Sequence, residues 1–132
     1  CDLIIEAIFE SIEIKKEIFS KLQKIAKPSS ILATNTSGLD IDSIANMTDR
    51  PEDIVGLHFF SPANVMKLLE IVQAKQTSSR VIKICMEIAQ KINKIPVLVG
   101  LMFTFLIVNS EFFDKAVKTI KKALELISEG IL

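Results

Sequence analysis

Short runs of isoleucine, leucine and valine alternate with longer segments whose apolar residues recur every three or four positions. This alternation constrains the fold more than any other feature of the chain. Leu3–Phe9 (LIIEAIF), Ile31–Thr34 (ILAT), Ile54–Phe60 (IVGLHFF), Lys67–Val72 (KLLEIV) and Pro96–Gly100 read as strands. Runs this short and apolar fit strands covered on both faces. Between them, Ser11–Ala26 has helical spacing at Ile14, Ile18, Leu22 and Ile25, and Glu17 with Lys21 makes a favourable i,i+4 pair on the solvent face. Asp40–Met47 is predicted as a short helix with Ile41, Ile44 and Ala45 inward. Thr77-Ser78-Ser79 can cap a helix running to about Asn93, with Ile82, Cys85, Ala89 and Ile92 on one face. The pattern implies an α/β fold: a doubly wound, mostly parallel sheet with helices on its faces.

The alternation stops near residue 100. From about Ser110 a long amphipathic helix is expected, with Phe113, Val117, Ile120, Leu124, Ile127 and Ile131 forming a heptad-like seam toward another helix. The expected organisation is therefore residues 1–100 as one domain and 101–132 as the start of a second. The chain opens at Cys1, inside a strand and without Met, so it is expected to be part of something longer. Composition narrows the function. Sixteen basic residues balance sixteen acidic ones, against the basic excess that a nucleic-acid or acidic-membrane surface needs. The apolar stretch Val97–Val108 is shorter than the roughly 20 residues of a bilayer span. Two cysteines, Cys1 and Cys85, make neither a disulfide framework nor a zinc site, and fit a reducing, intracellular compartment. No metal is expected.

In open α/β sheets ligands bind beyond the carboxyl ends of the strands. Polar residues collect there: Glu10 and Ser11 after the first strand, Asn35-Thr36-Ser37-Gly38 after the second, and His58 at the end of the third. Glu70 stands between Leu69 and Ile71, where an acid is unexpected. His58, the only histidine, could be a core residue bonded to backbone, and Glu70 an edge-strand charge facing water. If they meet, they form a base and its orienter. A carboxylate on one imidazole nitrogen fixes the tautomer, so the other nitrogen can take a proton. Taken singly, Asn35 and Ser37 are equally good turn formers, and Glu10 and Lys15 are ordinary helix-start charges.

Several of these stretches, taken together and in order, are distinctive: Asp2–Glu10 (DLIIEAIFE), Ile14–Phe19 (IKKEIF), Leu32–Ser37 (LATNTS), Arg50–Pro62 (RPEDIVGLHFFSP) and Val65–Val72 (VMKLLEIV). The chain resembles the L-3-hydroxyacyl-CoA dehydrogenase family over residues 2 to 100. The Ser-Pro ending of His-Phe-Phe-Ser-Pro is closer in style to the multifunctional fatty-acid β-oxidation enzymes. The resemblance implies the later portion of an NAD-binding, Rossmann-like domain. It also implies an NAD-dependent oxidation of a 3-hydroxyacyl-CoA thioester to the 3-oxoacyl thioester. By the same resemblance His58 is the general base, Glu70 its acidic partner, and Ser37 a hydrogen-bond donor to the substrate oxygen. Asn35 falls near the nicotinamide ribose, with Ala7, Glu10 and Lys15 lining the cofactor on the same rim.

The chain departs from the family in two places. The G-x-G-x-x-G fingerprint that cradles the pyrophosphate does not occur among the four glycines. After Gly100, Thr104 and Ser110 replace the family's glycine and arginine, and Asn109 aligns with a substrate-contacting asparagine only with one residue inserted. The terminal segment resembles the opening helix of the family's C-terminal domain, which implies a homodimer or a domain of a multifunctional protein. The expected location is peroxisome, mitochondrion or cytoplasm, with peroxisome slightly favoured in a eukaryote. Two alternatives stand beside the enzyme reading: a catalytically inactive fragment, and a non-catalytic binding or structural protein on the same fold.

Overall fold

A computed structural model describes residues 1–100 of the chain. The strands are β1 (Leu3–Glu6), β2 (Ile31–Thr34), β3 (Ile54–Phe59), β4 (Leu68–Gln73) and β5 (Ile95–Gly100). The helices are α1 (Ile12–Ile25), α2 (Ile41–Ala45) and α3 (Ser79–Lys91), with a 3-10 turn at Pro51–Asp53 before β3. The strands form one sheet in the order β1-β2-β3-β4-β5. Pairs β1/β2, β2/β3 and β4/β5 are parallel, whereas β3 and β4 are antiparallel. The exception has a simple cause. A parallel return needs a crossover of a dozen or more residues, and the connection from Phe60 to Lys67 is too short to carry one.

Side-chain alternation divides the core between the two faces of the sheet. Leu32, Ile54 and Val72 pack with Phe19 of α1 and Ile41, Ile44 and Ala45 of α2. Ile31, Ala33, Val55, Leu57, Leu69 and Ile71 pack on the other face with Val81, Cys85 and Ala89 of α3. Gly56 is required where α2 crosses β3: a Cβ there would collide with Ile41 Cδ1 and lie 2.8 Å from Val72 Cβ.

Helix ends follow local chemistry. Ser11 and Ser78 are the N-caps of α1 and α3, their hydroxyls accepting from the N–H of Ile14 and Val81. At the end of α3, Asn93 takes a positive φ of 58°. The Lys94 N–H then reaches Ala89 O at 2.8 Å and the Asn93 N–H reaches Gln90 O at 3.0 Å, a Schellman closure that stops the helix just short of the expected Asn93.

Three expectations need correction. Of the spaced residues Ile14, Ile18, Leu22 and Ile25 on α1, Leu22 packs on the core, but Ile14 and Ile25 are exposed, and the fully buried residues are Lys15 and Phe19. A lysine is not counted as apolar, yet Lys15 is enclosed because carboxylates receive its charge inside. On α3, Val81 takes the buried place beside Cys85 and Ala89, and Ile92 is exposed at the helix end. β1 stops at Glu6 rather than Phe9, because the Ile8 N–H turns back to the Glu6 carboxylate at 2.6 Å instead of extending the ladder. The expected long terminal helix, its apolar seam and the second domain over 101–132 lie outside the described residues.

Candidate active site

The polar residues beyond the strand ends form two groups, with Asn35 between them. The first group lies on β3 and β4. His58 and Glu70 are direct partners in the antiparallel register, so their side chains rise on the same face as neighbours. Glu70 Oε2 lies 2.7 Å from His58 Nδ1. The alternative readings of these residues fail on position. β4 is an interior strand between β3 and β5, so Glu70 is not an edge charge, and it is buried. His58 bonds a carboxylate, not backbone. The imidazole is not sealed in either: its side chain retains 17% exposure, against 10% for Glu70. The Phe60 ring stands 4.5 Å from it, tilted by 42°. With Nδ1 engaged by the carboxylate, Nε2 is the nitrogen left to accept a proton.

The second group joins β1, the start of α1 and the end of β2. Glu6 and Thr34 are register partners at the carboxyl ends of β1 and β2, and Thr34 Oγ1 donates to Glu6 Oε2 at 2.7 Å. Glu6 Oε1 accepts from Lys15 Nζ at 2.8 Å and from the Ile8 N–H. Lys15 Nζ also pairs with Glu10 Oε2 at 3.3 Å. On its other oxygen, Glu10 Oε1 receives the Thr36 hydroxyl at 2.5 Å and the Ser37 N–H at 3.1 Å. The side chains of Lys15 and Glu6 are 0% and 2% exposed, whereas that of Glu10 is 44% exposed. Partial burial pushes the Glu10 carboxyl upward. Hydrogen bonds from Thr36, Ser37 and Lys15 and the lysine charge outweigh it and hold the group below its ordinary value.

Asn35 links the groups. Its N–H donates to the Glu6 carbonyl at 2.8 Å, and its side-chain Oδ1 accepts the Phe59 N–H at 2.8 Å, one residue past His58. Ser37 is exposed on the same rim, and Ala7 is exposed in the turn after β1. Lys15 does not line the rim as expected. It is enclosed, and it reaches the rim through Glu10. Asn109 lies outside the described residues.

Glu6 and Thr34 belong to this constellation and were not singled out from the sequence, whereas Thr36 stood there only as one of the polar residues after the second strand. Only Glu6, an acid inside an isoleucine run, carried a usable signal. Cys85 is no nucleophile, since burial pushes its thiol up to about 11. The described residues contain no group of three or more candidate metal ligands, and no helix among them is long and apolar enough to cross a membrane.

The donor set fits the ribose and nicotinamide end of a dinucleotide. Glu10 offers a half-open carboxylate, which can accept from sugar hydroxyls, at the carboxyl edge of two parallel strands. No described glycine cluster offers a pyrophosphate cradle: Gly56 is filled against by α2, and Gly38 and Gly100 stand apart.

The chain is similar to known dehydrogenases in sequence and fold. Residues 1–102 match the family described as 3-hydroxyacyl-CoA dehydrogenase, NAD binding domain. The chain is 50% identical over 104 residues to the peroxisomal bifunctional enzyme of Homo sapiens, covering 79% of the chain and 14% of that protein. It is 47% identical over 112 residues to a peroxisomal fatty acid beta-oxidation multifunctional protein of Arabidopsis thaliana, covering 85% of the chain and 15% of that protein. Among solved structures, 3-hydroxybutyryl-CoA dehydrogenase from Escherichia coli aligns with a TM-score of 0.75 at 41% identity, over 76% of this chain and 21% of that one. The dehydrogenase part of multifunctional enzyme 1 from C. elegans aligns with a TM-score of 0.71 at 44% identity, over 75% of this chain and 23% of that one. The chain thus spans about one seventh of the length of the curated relatives it matches. On the fold, the strand-end constellation and these matches together, the chain belongs to the 3-hydroxyacyl-CoA dehydrogenase family and carries sequence of its NAD-binding domain.

Proposed function

We propose that this chain carries the proton-transfer half of an NAD-dependent oxidation of a 3-hydroxyacyl-CoA thioester to its 3-oxoacyl form. One observation carries the reading: the half-buried His58–Glu70 pair at 2.7 Å, held opposite each other by the β3/β4 register. His58 Nε2 takes the substrate hydroxyl proton, while Glu70 holds Nδ1–H and stabilises the imidazolium that forms. The Ser37 hydroxyl donates to the substrate oxygen and orients it toward His58. Glu10 and the Asn35 amide face the cofactor ribose, with Ala7 beside them in the turn after β1. Asn109 is proposed as a further substrate contact. Bound NAD would supply the acceptor for the hydride leaving the same carbon.

We further propose that the chain works in peroxisomes on acyl-CoA, as a domain of a multifunctional β-oxidation protein or, alternatively, within a homodimer. The peroxisomal relatives support the location and the multifunctional setting.

A second reading, that these 132 residues alone are inactive, is favoured by the glycine pattern, since no fingerprint is present to hold the pyrophosphate. Without it the hydride acceptor is not held against His58. Proximity and orientation can account for roughly 7–11 kcal/mol of a barrier.

One experiment separates these readings. Residues 1–100 replace the matching segment of the E. coli 3-hydroxybutyryl-CoA dehydrogenase, and NADH formation from 3-hydroxybutyryl-CoA is followed for this graft and for the 132-residue chain. The graft is expected to turn over and to lose turnover in His58→Gln, while the chain alone gives none. A folded graft whose rate is unaffected by His58→Gln would overturn the catalytic assignment. Turnover by the chain alone would overturn the second reading.

A further inference from the structure

We propose that Glu6 and Lys15 are a buried positioning pair that fixes Glu10 and, through it, the backbone of the Thr36–Ser37 turn at the rim of the site. The proposal rests on the reading of that rim as the site.

Glu6 is a junction. A carboxylate offers about four lone-pair positions on two oxygens. Three are used here, each by a different element: the Ile8 N–H of the turn after β1, the Thr34 hydroxyl at the end of β2, and Lys15 Nζ from the first turn of α1. Burying both charges is costly and is offset only where geometry and hydrogen bonds are good. A fully enclosed lysine in a helix turn whose Glu13 and Ile14 are exposed is a poor way to fill a core. Lys15 makes sense as a lever: from inside the fold it reaches Glu10, the outer carboxylate. One cation then stands between two carboxylates, and Glu10 keeps a net negative edge toward the rim.

Glu10 passes the constraint on. Its Oε1 receives both the Thr36 hydroxyl and the Ser37 N–H, and Thr36 Oγ1 in turn accepts the Leu39 N–H at 3.0 Å. Thr36 is buried and its N–H also reaches Thr34 Oγ1 at 3.3 Å, whereas Ser37 is exposed and its N–H bonds Glu10. The chain of contacts Glu6–Lys15–Glu10–Ser37 therefore sets where the Ser37 hydroxyl stands. Glu6 and Lys15 are enclosed, and they meet the rim through Glu10.

The test uses the full 132-residue chain, isotopically labelled, with two readouts: exchange of the Ser37 amide proton and the titration midpoint of the Glu10 carboxyl. Lys15→Met fills similar space without charge. It is expected to raise the Glu10 midpoint and to speed Ser37 exchange by about tenfold or more, the scale of one charge-assisted hydrogen bond, while the β2 amides of Leu32 and Ala33 stay protected. Glu6→Gln should speed Ser37 exchange by less, while the Glu10 midpoint moves down, because a like charge is removed and Lys15 is left to Glu10 alone. Removing an exposed charge, Lys21→Met, should move neither. If Lys15→Met folds and leaves both readouts unchanged, Lys15 is only a core filler and the proposal fails. If Lys15→Met unfolds the chain, Glu10→Gln decides, because its side chain lies at the rim: Ser37 exchange must speed up, and unchanged exchange overturns the proposal. These readouts need no turnover, so their failure is distinct from failure of the dehydrogenase reading.

Discussion

The two polar groups at the strand ends differ in what their burial permits. Glu6 and Lys15 are enclosed, and both Glu6 oxygens and the Lys15 ammonium are engaged by protein partners. His58 and Glu70 keep some exposure, and the pair commits only one ring nitrogen. A closed ion pair cannot exchange a proton with a ligand, but it can hold geometry. A half-open histidine with one nitrogen engaged can do the reverse. The sheet produces both from the same strand-edge chemistry. Parallel β1 and β2 receive a helix over their ends and close the first group. Antiparallel β3 and β4 are joined by the exposed Ser61–Lys67 segment and leave the second group open.

The contrast can be broken in stability and in rate. Glu6→Ala removes the enclosed partner and leaves the buried Lys15 charge with only the outer Glu10 carboxylate at 3.3 Å. A loss of about 3–5 kcal/mol is expected in urea unfolding. A loss under about 1 kcal/mol would mean that water reaches Lys15 and that the group is not closed. Gly56→Ala tests the sheet under the dyad. The added methyl meets Ile41 and Val72, and a loss of about 1–3 kcal/mol is expected from overpacking. Because Gly56 faces Val72 two positions before His58 faces Glu70, this variant should also disturb the His58 ring resonances while leaving those of Ser37 in place.

The pH dependence of Glu10 gives a smaller effect. Its carboxyl is held below 4.5 in the folded chain, so its contribution is present above the unfolded value and is lost as pH falls through the folded one. The urea midpoint should therefore fall below about pH 4, and Glu10→Gln should remove part of that fall. The effect is modest because the group is half exposed. The two cysteines report least on stability but locate the opening. Cys1 is exposed and Cys85 is buried beneath β3 and β4. Alkylation near neutral pH should mark Cys1 at once and Cys85 only on unfolding. Fast labelling at Cys85 in the native chain would show that α3 lifts from the sheet face opposite the dyad.

The same contrast explains what could be read in the sequence. The dyad was legible because each member broke a local pattern: a lone histidine closing a strand, and an acid between Leu69 and Ile71. The β-α alternation gave all five strands and three helices for the same reason, since a packed sheet needs its periods. The closed group was not legible. Lys15 looked like a helix-start charge, because hydropathy spacing cannot register a charge whose partner, Glu6, is supplied by a neighbouring strand end. The misplaced face of α1 follows from that one residue. Thr34 has no sequence signal at all, and Thr36 has only its place after the second strand: their hydroxyls gain a role only when β2 lies beside β1.

The most direct measurement is NADH formation by the graft carrying Glu70→Gln, a change that keeps the side-chain size and removes the carboxylate from His58 Nδ1. With folding intact by circular dichroism, the rate is expected to fall by about 10²–10⁴, the scale of a general base that has lost its orientation. A rate within about threefold of the unsubstituted graft would contradict the account, because the cross-strand pair would then be a structural contact and not the centre of the chemistry.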